Sequence, residues 1–275
     1  MLALLGLGVA GYGALCALIY HRQDSMIYFP SDRIVTTPED LGLSFESFEL
    51  PTTKGTVTGW VVKVEEPEAP WILFFHGNAG NISSHIDYLP FFHRLGFHAA
   101  IFDYEGYGNS RGIPSEASLV EDGLAVRAYL EKSQAAKPSK IVYFGESLGG
   151  GVAAATAEKA PPAALILKST FSSVPDRAAQ DFPYLPIRLL ARTRLDTLSR
   201  IESFSFPKLV MHGPTDDVIS FDHGQTLFQR AKEPKRWLEI PGGHNTRPDE
   251  LGGEFAETVR SFVLQSTTPE SGDRP

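Results

Sequence analysis

The chain has 275 residues, of which 42% are hydrophobic and 21% charged, and its net charge is −8. That balance describes one large globular domain rather than a disordered chain, and it argues against nucleic acid as a partner, because phosphate binding needs a basic stripe. A single cysteine, Cys16, excludes an intramolecular disulfide, and there is no Cys/His cluster with zinc spacing and no Walker or dinucleotide-type glycine pattern.

The first twenty residues carry no charged side chain. As a helix rising about 1.5 Å per residue they would reach ~30 Å, the thickness of a bilayer core, so residues 1–22 are expected to form an N-terminal transmembrane anchor. Gly6, Gly8, Gly11 and Gly13 suit a membrane helix. A cleaved signal peptide is the competing reading, but the segment lacks a Lys- or Arg-bearing start and a clear small-x-small site near Ala17. Residues 23–42 read as a connector, with Tyr28 and Phe29 expected at the membrane interface.

From Ser44 the pattern alternates: Phe45, Phe48 and Leu50 are interleaved with Glu46 and Glu49. With the β-type run at 57–62 this predicts an antiparallel hairpin turning at 52–55. The continuous apolar run 71–75 has the character of a strand buried on both faces. Helix and strand then alternate: helix 82–95, strand 97–102, helix 115–132, strand 141–144, helix 148–159, strand 164–167, strand 208–211, helix 221–231, strand 236–240 and helix 250–264. This alternation predicts a mostly parallel sheet of eight strands with helices on both faces. Residues 172–205, with Pro175, Pro183 and Pro186, break the rhythm just past a strand C-terminus, where ligands of such sheets bind; they are expected to form a small cap. A flexible tail is expected at 266–275.

Residues 145–149 read Gly-Glu-Ser-Leu-Gly between an apolar β run and a small-residue helix. This is the pattern of a nucleophile elbow, in which Ser147 sits on a strained strand-to-helix turn flanked by glycines. A serine hydroxyl is a weak nucleophile and needs a base, which in turn needs an orienting carboxylate. Downstream lie His212, His223 and His244. His244, in the glycine-rich loop Pro241-Gly242-Gly243-His244-Asn245 after the last strand, is the candidate base; His212 at a strand end reads as structural, and His223 sits at a helix start. The candidate acid is Asp216, with adjacent Asp217 the alternative, the unused one being left to cap the following helix. An oxyanion hole needs two backbone N–H groups. Leu148, after the nucleophile, supplies one; Asn78, in His76-Gly77-Asn78-Ala79-Gly80-Asn81, is the candidate for the other. His76 is expected to orient that loop, and the run from Asp103 to Ser110 reads as structural loop chemistry.

With these segments, Phe74-Phe75-His76-Gly77-Asn78-Ala79-Gly80-Asn81, Asp103-Tyr104-Glu105-Gly106-Tyr107-Gly108, Gly145-Glu146-Ser147-Leu148-Gly149-Gly150, the 212–216 loop and Gly242-Gly243-His244-Asn245, the chain resembles the α/β-hydrolase-fold serine esterases. Among them it looks most like the membrane-anchored subgroup related to bud-emergence-type hydrolases and protein depalmitoylases. The resemblance implies an α/β-hydrolase domain over 28–265, with Ser147 as nucleophile, His244 as base and Asp216 as acid. It also implies hydrolysis of an acyl ester or thioester, on a small-molecule or lipid substrate, with no cofactor and no metal. The cysteine-rich N-terminus by which depalmitoylases are themselves acylated is absent, so anchoring here would be by helix. Two further readings share the same sequence features: a prolyl-oligopeptidase-like peptidase, although no propeller segment is present, and a non-catalytic membrane-tethered scaffold, which would have no need of the Ser, Asp and His set.

Overall fold

The computed structural model describes residues 2–268. Helix α1 (Leu2–Ile27) runs on past Tyr20 through the polar residues His21 to Ser25 and ends at Ile27. Within its stretch Leu4–Ile27 an 18-residue window has a mean hydropathy of 1.6, and Leu4, Leu5, Leu7 and Val9 are exposed, so it is a candidate membrane span. Beyond it come β1 (Phe29–Pro30), the hairpin β2 (Phe45–Pro51) and β3 (Thr56–Val62), the buried β4 (Trp71–Phe75) and the short β5 (Ala79–Gly80). There follow α2 (Tyr88–Arg94), β6 (His98–Asp103), α3 (Glu116–Ser133), β7 (Ile141–Glu146), α4 (Leu148–Lys159) and β8 (Ala164–Lys168). Three short helices, α5 (Val174–Asp181), α6 (Ile187–Leu190) and α7 (Thr197–Ile201), occupy the irregular stretch, and β9 (Lys208–His212), α8 (Phe221–Arg230), β10 (Lys235–Glu239) and α9 (Gly252–Thr267) close the chain.

The main sheet has eight strands in the order β10-β9-β8-β7-β4-β6-β3-β2. All neighbours are parallel except the β2–β3 hairpin and the β3–β6 pair, so the sheet is mixed with a parallel majority. The central strand explains the two-sided core. Along β4 the side chains alternate: Trp71, Leu73 and Phe75 join one apolar cluster, with Leu119, Val126 and Leu130 of α3 and Val152 of α4. Ile72 and Phe74 join the other, with Leu89 and Phe92 of α2 and Phe255 and Val259 of α9. A strand that must satisfy both faces has no polar position to spare, and all five of its residues are buried.

Three local expectations need correction. The helix expected over 82–95 is broken: a 3-10 turn covers Ile82–His85, and α2 starts only at Tyr88. Pro90 has no N–H to donate and is tolerated only in a helix's first turn, which fixes that start. Tyr28 is buried in the core rather than set at a lipid interface. The tail expected from Ser266 begins inside α9, which continues to Thr267, and positions 269–275 lie outside the described residues.

Candidate active site

β7 and α4 meet at Ser147, whose φ of 53° and ψ of −120° lie where an L-residue is strained. The turn is held from both sides: Ser147 N–H donates to the Lys168 carbonyl (3.0 Å), and its carbonyl accepts from the Thr170 hydroxyl (2.6 Å). The glycines of the motif have a steric reason. A Cβ on Gly149 would run into the carbonyl oxygens of Phe75 and His76, and one on Gly145 into the backbone of Gly149 and Gly150. Only with both side chains absent can the helix cross the strand so closely and lift the serine above the sheet.

The structure brings Ser147, His244 and Asp216 into one line. Ser147 Oγ lies 2.9 Å from His244 Nε2, and His244 Nδ1 lies 2.8 Å and 3.0 Å from the two Asp216 carboxylate oxygens. A carboxylate only accepts, so the bond to Asp216 requires the proton on Nδ1 and leaves Nε2 free to accept from the serine hydroxyl. That is the protonation a general base needs. Asp216 Oδ1 also accepts from the N–H groups of Val218 (2.9 Å) and Ile219 (2.8 Å), and His212 Nε2 stands 3.2 Å from Oδ2. Burial acts to raise the Asp216 carboxyl, but the hydrogen bonds from His212, His244 and Ile219 outweigh it and hold the group well below the usual carboxylate range. It is therefore ionised at neutral pH. Asp217 is exposed, and it does not cap α8, whose N-cap position is Ser220.

The other histidines are differently placed. His76 is fully buried, its Nδ1 bonded to the Gly77 carbonyl (2.7 Å) and its own carbonyl accepting from Tyr104 (3.0 Å). Burial, with His85 beside it, pulls the imidazole down to about 3, so it is neutral at ordinary pH and holds the loop. His212 Nε2 also faces the Ile219 carbonyl at 2.9 Å, which pins the 213–219 loop against the strand end. His223 bonds through Nδ1 to Ser172 (3.0 Å) at the base of the irregular stretch.

The 76–81 loop borders the serine: a Cβ on Gly77 would stand 3.7 Å from that of Ser147. The N–H of Leu148 opens α4 and so has no partner within the helix, and the N–H of Asn78 likewise has no hydrogen-bond partner among the described residues. Both atoms of the Asn78 carboxamide head group are hydrogen-bonded. Its oxygen accepts from Phe29 N–H (3.1 Å) and Tyr107 OH (2.9 Å), and its nitrogen donates to the Ile27 carbonyl. Ser147 and His244 open into a cavity of about 480 Å³.

Two parts of this site were not foreseen from the residues. The first is a buried ionic group beneath the elbow: Lys168 Nζ lies 2.6 Å from Glu146 Oε1, which also accepts from Tyr88 OH (2.7 Å), while His85 Nδ1 is 3.4 Å from Oε2. Burial alone would raise the Glu146 carboxyl, but the Lys168 ammonium and His85 hold it well below its ordinary value. The signal was present, since Glu146 and Lys168 each end an apolar strand and pair in register across β7 and β8. The second is the N-terminal segment. Met26, Ile27 and Phe29, read as connector, line the cavity, and β1 pairs with β5 in the very loop that carries Asn78.

Comparison with known proteins places the chain among relatives of the same fold. A family model described as serine aminopeptidase, S33 (Hydrolase_4) matches residues 66–196. Protein bem46 of Schizosaccharomyces pombe is 37% identical over 271 residues, covering 92% of this chain and 90% of that protein. An uncharacterized protein of Mycobacterium tuberculosis is 35% identical over 252 residues, covering 90% and 89%. In fold the chain is similar to an esterase of Pyrococcus furiosus, with a TM-score of 0.70 at 17% identity over 87% of this chain and 98% of the other.

Proposed function

The chain belongs to the α/β-hydrolase family, in the group related to bem46, and from that premise we propose that it is a serine hydrolase that cleaves acyl esters or thioesters through an acyl-enzyme intermediate. The observation that carries this reading is the unbroken line from Ser147 Oγ through His244 to Asp216, at 2.9 Å and 2.8 Å, opening into a cavity.

In the proposed reaction the Ser147 oxygen attacks the acyl carbon while its proton passes to His244 Nε2. Asp216, anionic throughout, stabilises the imidazolium that results. The carbonyl electron pair moves onto oxygen, where the N–H groups of Leu148 and Asn78 are the proposed donors, with the N-terminal end of α4 adding a favourable dipole. Collapse of this intermediate expels the alcohol or thiol, which takes the proton from His244. Water, deprotonated by the same imidazole, then releases the acid and restores the serine. No step calls for a cofactor or a metal. The helix α1 is proposed to hold the enzyme on a membrane, supported by the length and apolar surface of Leu4–Ile27.

The same three groups would serve amide cleavage, which the description of the matched family model raises. The full chain, assayed on p-nitrophenyl acyl esters and on aminoacyl p-nitroanilides, is expected to turn over the esters. Cleavage of the anilides without the esters would replace this reading by a peptidase one.

A further inference from the structure

The cavity over Ser147 does not end at the irregular stretch. A second cavity of about 280 Å³ lies between α1 and the helices α5 and α6, and six residues line both spaces: Met26, Ile27, Val174, Ala178, Asp181 and Phe182. Beyond the shared wall the second space is bounded by Ile19 of α1 and by Leu185, Ile187, Leu190 and Ala191. Its polar side chains are already committed. Asp181 pairs with Arg177 at 2.7 Å. Gln23, almost wholly buried, donates to the carbonyls of Tyr20 (2.8 Å) and Leu190 (3.2 Å) and accepts from Arg192 N–H (2.7 Å). What remains toward the space is apolar.

The contact between α1 and this stretch is built, not incidental. Arg192 pairs with Asp24 at 2.7 Å and lies over the Tyr20 ring at 5.4 Å, and Tyr12, inside the candidate span, donates to the Tyr184 carbonyl at 2.8 Å. That last bond brings the tip of the stretch alongside the apolar helix, and two of its large apolar side chains are open: Tyr184 is 89% and Leu189 86% exposed. Beside a membrane helix such exposed side chains suit the bilayer interface.

We propose that the groove between α1 and α5–α6 is the acyl-chain subsite of the enzyme, that its occupant is the long acyl chain of an ester substrate arriving from the bilayer, and that α1 is a wall of the substrate site as well as an anchor. This rests on the serine-hydrolase reading above and narrows its substrate to long-chain acyl compounds. The shared residues set the direction: the carbonyl sits at Ser147, and the chain passes Ile27 and Phe182 toward Ile19, along the flank of the helix that enters the membrane. A short acyl group would fill only the space over the serine and leave the groove empty.

The test uses the full chain in phosphatidylcholine nanodiscs, with p-nitrophenyl acetate and p-nitrophenyl dodecanoate as substrates. Ala191→Trp fills the groove, and Leu190→Glu places a charge in it; neither side chain lines the space over Ser147. Each variant is expected to lower the dodecanoate-to-acetate ratio of kcat/KM about tenfold, the effect of unseating roughly two buried methylenes. Using two substitutions of opposite character, with thermal unfolding compared, separates a misfolded variant from a blocked groove. A ratio that stays at the parent value in both variants overturns the proposal. If the unmodified chain hydrolyses neither ester, the serine-hydrolase reading itself fails and this inference falls with it.

Discussion

Ser147→Ala is expected to lower kcat for an acyl ester by about 10⁶-fold, and Asp216→Asn by about 10⁴-fold, while Asp217→Asn changes it by less than about twofold. The difference between the two aspartates is the sharper part of this expectation, because they are neighbours of identical chemistry. Asp216 has a side chain only 1% exposed and faces His244 Nδ1 at 2.8 Å, whereas Asp217 is exposed to solvent. An amide at 216 can present N–H or C=O to Nδ1. With an N–H there, the imidazole would be held in the tautomer whose Nε2 carries the proton, and it could no longer accept one from the serine. The loss should therefore fall on kcat more than on KM, and it should not add to that of His244→Ala, since the groups act as a unit. Steady-state kinetics on the four variants and on the double variant Asp216→Asn with His244→Ala checks this; a large loss at Asp217 with little at Asp216 would exchange the assignment.

Lys168→Met is expected to destabilise the fold by about 3–5 kcal/mol near neutral pH, because it leaves the Glu146 carboxylate buried without its cation. Lys168 is fully buried at the end of β8, with its Nζ 2.6 Å from Glu146 Oε1. In the parent protein the Glu146 carboxyl is held below its ordinary 4.5, so its contribution is present above that value and lost as pH falls. Without the ammonium, burial is the larger influence and the folded-state value rises above the unfolded one; its penalty is then absent in acid and grows as pH climbs through the new value. The gap between parent and variant should accordingly be smaller near pH 4 than near pH 8, because the variant's penalty fades toward acid while the parent's Glu146 is still ionised at pH 4. Denaturant unfolding at the two pH values measures it. An equal gap at both would mean that lost packing, not the unpaired charge, sets the cost. Glu146→Gln in the same background should recover part of the loss at pH 8, because an amide in that place carries no charge to strand.

The parts of the fold that were legible in the sequence are those where one short pattern determines one geometry. The run Trp71-Ile72-Leu73-Phe74-Phe75 has no polar position, so it had to be a strand covered on both faces. Gly145 and Gly149 around Ser147 mark a crossing of strand and helix too close for any Cβ. The candidate base was legible because His244 alone among the downstream histidines sits in a glycine-rich loop after the last strand. The preference for Asp216 over Asp217 agrees with the structure, but no local pattern required it, since it depends on how the 213–219 loop folds back to give Val218 and Ile219 N–H to one carboxylate. The role of α1 in the cavity was hidden for a different reason. Its contacts join Gln23 to Leu190 and Ile27 to Asn78, residues far apart in the chain with no shared periodicity to connect them. The single turn α6 and the two-residue pairing of β1 with β5 are likewise products of tertiary packing, too short for any local pattern to specify.

The central claim, that the hydroxyl at 147 is an activated nucleophile, is tested most directly by treating the full chain with a fluorophosphonate and locating the adduct by peptide mass spectrometry. A single adduct on Ser147, lost in His244→Ala, is the predicted result. No adduct on the folded chain, as a non-catalytic scaffold would give, or an adduct on a different serine, would contradict it.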